Sequence, residues 1–193
     1  MNAPPDPPPL SAEEQGLLLG MARRAIRSTL CGDPLPPSGG IPVRLLEHQG
    51  AFVTLRQERV LRGCIGMVPA TDPLIETILR CAVAAALEDP RFPPVILDEL
   101  PRLTVEVSVL APARLVIDVE EIEVGRHGLI IAQGGRRGLF LPQVALEYGW
   151  DRLTLLRETC RKANLEPDAW QRGARIEVFS AQVFSDEPAG GFD

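Results

Sequence analysis

The sequence predicts an α+β protein with a mostly antiparallel sheet flanked by helices, and three observations carry that prediction. Short runs alternate apolar and polar residues, two pairs of runs are joined by turns too short for a helical crossover, and helical periodicity lies between them. Regular strand-helix-strand repetition, the mark of a parallel sheet, is missing. At 193 residues, 45% hydrophobic and 24% charged, the chain can bury a sizeable core without disulfides.

Five prolines among the first nine residues predict an extended, disordered lead over residues 1–10. Ser11 and Glu14 form a capping box ahead of Leu17, Leu18, Met21, Ala22, Ala25 and Ile26, a helical spacing that should end near Gly32. The stretch from Asp33 to Pro42, with four prolines and two glycines, reads as an exposed connection or a lid. Residues 51–56 and 59–65 form a hairpin around Gln57 and Glu58. Asp72 caps and Pro73 starts a helix to about Glu88, followed by the rigid Asp89-Pro90-Arg91-Phe92-Pro93-Pro94.

Leu103 to Leu110 alternates, with Leu103, Val105, Val107 and Val109 on one face and Thr104, Glu106 and Ser108 on the other. A second hairpin pairs residues 129–132 with 138–141 across the glycine-rich tip at 133–137, and Pro142 closes it. Asp151 caps a helix to about Ala163 with Asn164 as a left-handed stop, and Arg175 to Phe184 supplies a last strand. The segment 125–170 could form a lobe of its own, leaving a cleft between lobes as a ligand site.

Twenty lysines plus arginines against 26 acidic residues give a net charge of −6, and aromatics are only 5%, so nucleic-acid binding is disfavoured. No apolar run approaches a membrane span, and the first residues lack a secretory pattern, which makes a cytoplasmic protein the default expectation. Cys31, Cys64, Cys81 and Cys160 are scattered, with no CxxC or neighbouring histidine at zinc spacing, so no metal site is expected. Walker, Rossmann and HExxH motifs are also absent.

Leu61-Arg62-Gly63-Cys64-Ile65-Gly66 is the most informative segment. On a strand, Leu61 and Ile65 face the core while Arg62 and Cys64 share the opposite side, where a guanidinium can lower the thiol's pKa. Gly63 and Gly66 leave the backbone bare for a ligand or another chain segment. The competing reading makes Cys64 a small buried filler.

LRGCIG, with EDPRFPP at 88–94, VEVSVL at 105–110, RHGLII at 126–131, RGLFLPQVA at 137–145, GWD at 149–151 and CRKANL at 160–165, resembles the AMMECR domain family. Its bacterial and archaeal members are called AmmeMemoRadiSam system protein A. The resemblance spans about residues 12–187. It implies a single domain over 11–187 of two unequal lobes, the larger about 11–115 plus 174–187 and the smaller about 116–173, with a tail at 188–193. It implies association with a Memo-like protein and a radical SAM protein, but no settled reaction and no known cofactor. CxxxCxxC is absent here, so any radical SAM cluster belongs to the partner.

The matching polar positions are Arg62, Cys64, Asp89, Arg91, Glu106, Ser108 and His127. As a binding site, Arg62, Gly63, Gly66, Asp89, Arg91 and Ser108 would shape a cleft around LRGCIG. As a catalytic site, Cys64 would be the nucleophile, His127 its base and Glu106 the group orienting the imidazole. Each has a plainer role: Asp89 and Arg91 could tie down the proline turn, Glu106 and Ser108 could be solvated, and His127 could bond a turn. Arg126, Arg136 and Arg137 could receive an anion or form a solvated hairpin rim.

Overall fold

The computed structural model describes residues 7–35, 40–68 and 71–186. Most of the expected N-terminal lead, part of the Asp33–Pro42 connection and the 188–193 tail lie outside those residues. Leu10, counted in the lead from sequence, is instead buried: its N–H donates to Gln182 Oε1 at 2.8 Å, and it joins the apolar core.

The chain divides into two compact units, one of Pro8–Val109 with the chain from Gln182, the other of Leu110–Ala181. In the first, helix α1 (Ala12–Cys31) starts at the Ser11–Glu14 capping box and stops at Gly32, whose φ of 74° suits a residue without a Cβ. Its buried residues Leu18, Met21, Ala22, Ala25 and Ile26 recur every three or four positions and pack into the core. Helix α2 (Leu74–Leu87) follows Pro73. Asp72 does not cap it, because its carboxylate is taken by Thr71 Oγ1 at 3.0 Å and by the Arg80 guanidinium.

Strands β1 (Ala51–Gln57), β2 (Val60–Met67) and β3 (Leu103–Leu110) make a sheet of order β2-β1-β3-β8, with β8 (Ala181–Ser185) at the far edge. The β1–β2 and β1–β3 pairs are antiparallel. One face of the sheet, Val53, Leu55, Val105 and Val107, is fully buried in the same core as α1 and α2. Each such aliphatic side chain is worth about 1.5–3 kcal/mol removed from water, enough to fix which way the alternating strands face.

In the other unit, β4 (Arg114–Leu115), β5 (Gly128–Gln133), β6 (Arg136–Phe140) and β7 (Arg175–Phe179) form the sheet β4-β7-β5-β6. Pro142 does more than end the hairpin: it begins the short helix α3 (Pro142–Glu147), where a missing N–H costs nothing. Helix α4 (Arg152–Lys162) is capped by Asp151, which accepts the Thr154 N–H at 2.7 Å, and Asn164 has the left-handed φ of 55°. The expected single last strand is two, because Ser180 interrupts it and β7 and β8 join different sheets.

Candidate functional site around Cys64

The hairpin β1–β2 turns on Glu58 and Arg59, both with positive φ (50° and 67°), one residue later than the sequence spacing suggested. A two-residue loop with both φ values positive matches the twist of the flanking strands. Between the pairs Leu55–Gly63 and Arg56–Leu61 the register shifts, leaving Arg62 as an additional residue. This bulge corrects the face assigned to Leu61: it pairs with Arg56, on the side of Thr54 and Cys64, whereas Ile65 packs on the core as expected.

The two glycines are explained by the chain itself. A Cβ on Gly63 would lie 2.1 Å from the Ala85 carbonyl oxygen of α2, and one on Gly66 would lie 2.1 Å from the Phe52 ring. Gly63 therefore lets the helix backbone approach the strand, and Gly66 makes room for an aromatic ring on the other face.

Strand β2 is an edge strand, and the segment after α2 closes that edge at one point. The Cys64 N–H donates to Asp89 Oδ2 at 2.8 Å, and Arg91 Nη2 donates to the Cys64 carbonyl at 3.3 Å. Asp89 also accepts from Arg91 Nε and Nη2 at 2.9 and 2.6 Å and from the Arg91 N–H at 3.1 Å. The Arg91 guanidinium, helped by the two amides and opposed by burial, holds the Asp89 carboxyl well below the usual carboxylate range. Asp89 and Arg91 thus do secure the proline turn, and in doing so they bind both peptide groups of Cys64.

Across the sheet, Cys64, Thr54 and Glu106 occupy one row, and Gly66, Phe52 and Ser108 the next. Thr54 Oγ1 donates to Cys64 Sγ at 3.3 Å. Thr54 was missed by motif reasoning, although registering the hairpin places it opposite both Cys64 and Glu106. Arg56 Nε lies 3.8 Å from Glu106 Oε2, so this carboxylate is paired rather than simply solvated. Ser108 is buried.

The Cys64 thiol is not drawn down by its surroundings. Burial pushes the Cys64 thiol up; Thr54 and Arg91 pull it down, Asp89 and Glu106 push it up again, and the net direction is upward. Nor is Arg62 the cation that acts on it. Its guanidinium donates to both Glu99 carboxylate oxygens at 2.8 and 3.0 Å and to the Pro93 carbonyl at 2.9 Å. The bulge sends this side chain to the proline segment, and Arg91, bonded to the Cys64 carbonyl, is the cation whose charge reaches the thiol.

His127 belongs to the other unit, where it is buried and its Nδ1 accepts the Glu123 N–H at 3.1 Å. That nitrogen is committed to the turn preceding β5. Arg126 pairs with Glu123, and Arg136 donates to the Asn164 carbonyl at 2.8 Å. Trp150 contacts Phe140 edge-on and stacks with Tyr148, consistent with packing. The four cysteines are free thiols, with Cys81 pushed up to about 11 by burial. Among the described residues no group of three or more His, Cys, Asp or Glu is placed to hold a metal ion, and no helix is long and apolar enough to cross a membrane.

Comparison with known proteins gives a consistent result. The AMMECR1 family model matches residues 19–184. Protein PF1979 of Pyrococcus furiosus is 44% identical over 182 residues, covering 88% of this chain and 87% of its own. Protein MK0488 of Methanopyrus kandleri is 43% identical over 196 residues, covering 94% and 93%. The crystal structure of an uncharacterised protein, PH0010 of Pyrococcus horikoshii, superimposes with a TM-score of 0.88 at 42% identity, covering 94% of this chain and 96% of that one.

Proposed function

The chain belongs to the AMMECR1 family, and on that premise we propose that it is a binding component. It acts in the cytoplasm, presenting the LRGCIG strand to a Memo-like protein and a radical SAM protein. The observation that carries this reading is the fixation of Cys64: its N–H and C=O are both tied by the Asp89–Arg91 segment, and burial pushes its thiol up. A residue whose two flanking peptide groups are both fixed presents a defined shape, which suits recognition more than nucleophilic attack. Arg91, with its side chain 53% exposed, adds a cation beside that shape, and the free thiols fit a reducing compartment.

The second reading, an enzyme with Cys64 as nucleophile and Glu106 as a partner, draws on one observation. The Thr54 hydroxyl donates to the sulfur in the same row as Glu106. Co-purification of the chain with both partners separates the two readings. Under the binding reading Arg91→Ala removes the complex and Cys64→Ser retains it. Loss of the partners' joint activity in Cys64→Ser with the complex intact would overturn that reading in favour of the enzyme.

A further inference from the structure

In antiparallel pairing, alternate residues turn their N–H and C=O away from the neighbouring strand. On β2 the groups of Cys64 turn outward, where Asp89 and Arg91 meet them. The same alternation turns the N–H and C=O of Gly66 outward, two residues further along the edge. Beside that position lies a cavity of about 390 Å³, walled by Ile65 and Met67 on either side of Gly66, by Leu79, Val83 and Ala84 of α2, and by Leu35. Arg80 and Glu88 also border it. Its size falls within the range of small ligand pockets, and its walls are predominantly apolar.

We propose that the Gly66 edge and this cavity together dock a short extended peptide segment of a partner protein. One aliphatic side chain fills the cavity, and the segment's backbone pairs with Gly66. This rests on the binding-component reading and names how a partner engages the same strand. An isolated apolar molecule would fill the cavity and leave the Gly66 peptide groups to water. A helix has no main-chain groups to offer along its flank. An extended chain satisfies both features, as when a strand is added to a sheet edge. The Asp89–Arg91 clamp sets the limit of the segment, because it already occupies the edge at Cys64. Phe52 covers Gly66 on the opposite face, so an anchoring side chain has its place on the α2 side.

The test uses the full chain, labelled with ¹⁵N, and the pentapeptides Ac-Ser-Thr-Xaa-Thr-Ser-NH₂ with Xaa Leu, Ile, Val or Ala. The expected result is a shift of the Gly66 amide by the aliphatic peptides with a Kd below about 1 mM, and binding at least about tenfold weaker for Ala. Ala84→Phe, which fills the cavity, and Leu35→Glu, at a half-exposed wall, each weaken binding about tenfold or more while the remaining amide spectrum is kept. Failure of every aliphatic peptide to move the Gly66 amide at about 5 mM overturns the proposal. So does N-acetyl-leucinamide binding as tightly as the Leu peptide, which would make the site one for a small apolar molecule. Co-purification with the Memo-like and radical SAM proteins is scored separately. If it survives in both variants, only the peptide inference falls; if the unaltered chain forms no complex, the binding-component reading falls.

Discussion

The Asp89 carboxylate and the Cys64 amide meet at 2.8 Å, and the side chain that Asp89 steadies, Arg91, returns to the Cys64 carbonyl. Two side chains of a proline-rich loop thereby supply what a neighbouring strand would supply at one residue of an exposed edge. Such an edge otherwise invites pairing with other chains, and a charged pair seated on it is one means of limiting that. The arrangement joins stability and site geometry in one interaction: loosening Asp89 releases the edge at Cys64.

Asp89→Asn should therefore destabilise the protein at neutral pH by about 1–3 kcal/mol, since charge-assisted bonds to a buried carboxylate become neutral ones. The pH dependence has a defined sign. The folded-state pKa of Asp89 is depressed, so its contribution is fully present above the unfolded value of about 4 and is lost as pH falls through the lower folded value. Denaturant unfolding of the wild type and the variant should differ most at pH 6–7 and converge below about pH 4. A difference that stays constant down to acid pH would show that the carboxylate charge is not responsible.

The glycines of LRGCIG give a second prediction, through packing. Gly63→Ala drives a methyl group into the backbone carbonyl of Ala85, which no rotamer change relieves, and should cost about 3 kcal/mol or more. Gly66→Ala meets the ring of Phe52 most closely, so its cost should fall substantially in the Phe52→Ala background. Urea unfolding of both singles and of the Gly66→Ala/Phe52→Ala pair measures this. Additive costs in the pair would contradict the proposed contact.

Much of this was legible in the residues because local patterns decide it. Ser11 and Glu14 cap α1, Asp151 caps α4, and the alternation from Leu103 to Leu110 separates Glu106 and Ser108 from the core valines. The misplacements share a different cause. The bulge at Arg62 depends on where the β1–β2 turn falls, and a one-residue shift in the turn alters which face Leu61 takes. Thr54 and Arg91 act on Cys64 only through strand pairing and loop placement, which no spacing within LRGCIG encodes. Desolvation, the largest influence on the thiol, arises from the whole fold.

The β1–β2 turn offers a third prediction, a gain of stability. Arg59 sits at a φ of 67°, strained for a side-chain-bearing residue, with Glu58 at 50° before it. Glu58→Asn with Arg59→Gly places the pair preferred in such turns on an exposed tip. The double variant should be more stable by about 0.5–1 kcal/mol, read as a higher midpoint in thermal unfolding. A lower midpoint would mean that the two native side chains contribute more than the turn conformation costs.

The last prediction separates Arg62, two residues before Cys64 in sequence, from Arg91, which bonds the Cys64 carbonyl. Iodoacetamide alkylation of Cys64, followed by peptide mass spectrometry in a Cys31→Ser background so that the exposed thiol does not compete, reports the thiolate fraction against pH. Because burial dominates, the apparent pKa should lie above the ordinary cysteine value of about 8.5. Arg91→Ala removes the cation whose charge reaches the thiol, and Thr54→Val removes the hydroxyl that donates to it, so each should slow alkylation at pH 8. Arg62→Ala should leave the profile in place while lowering stability, because that guanidinium is engaged by Glu99 and the Pro93 carbonyl. A profile that moves with Arg62 and not with Arg91 would return the activating role to the residue two positions before the cysteine and contradict the electrostatics derived from the bulge.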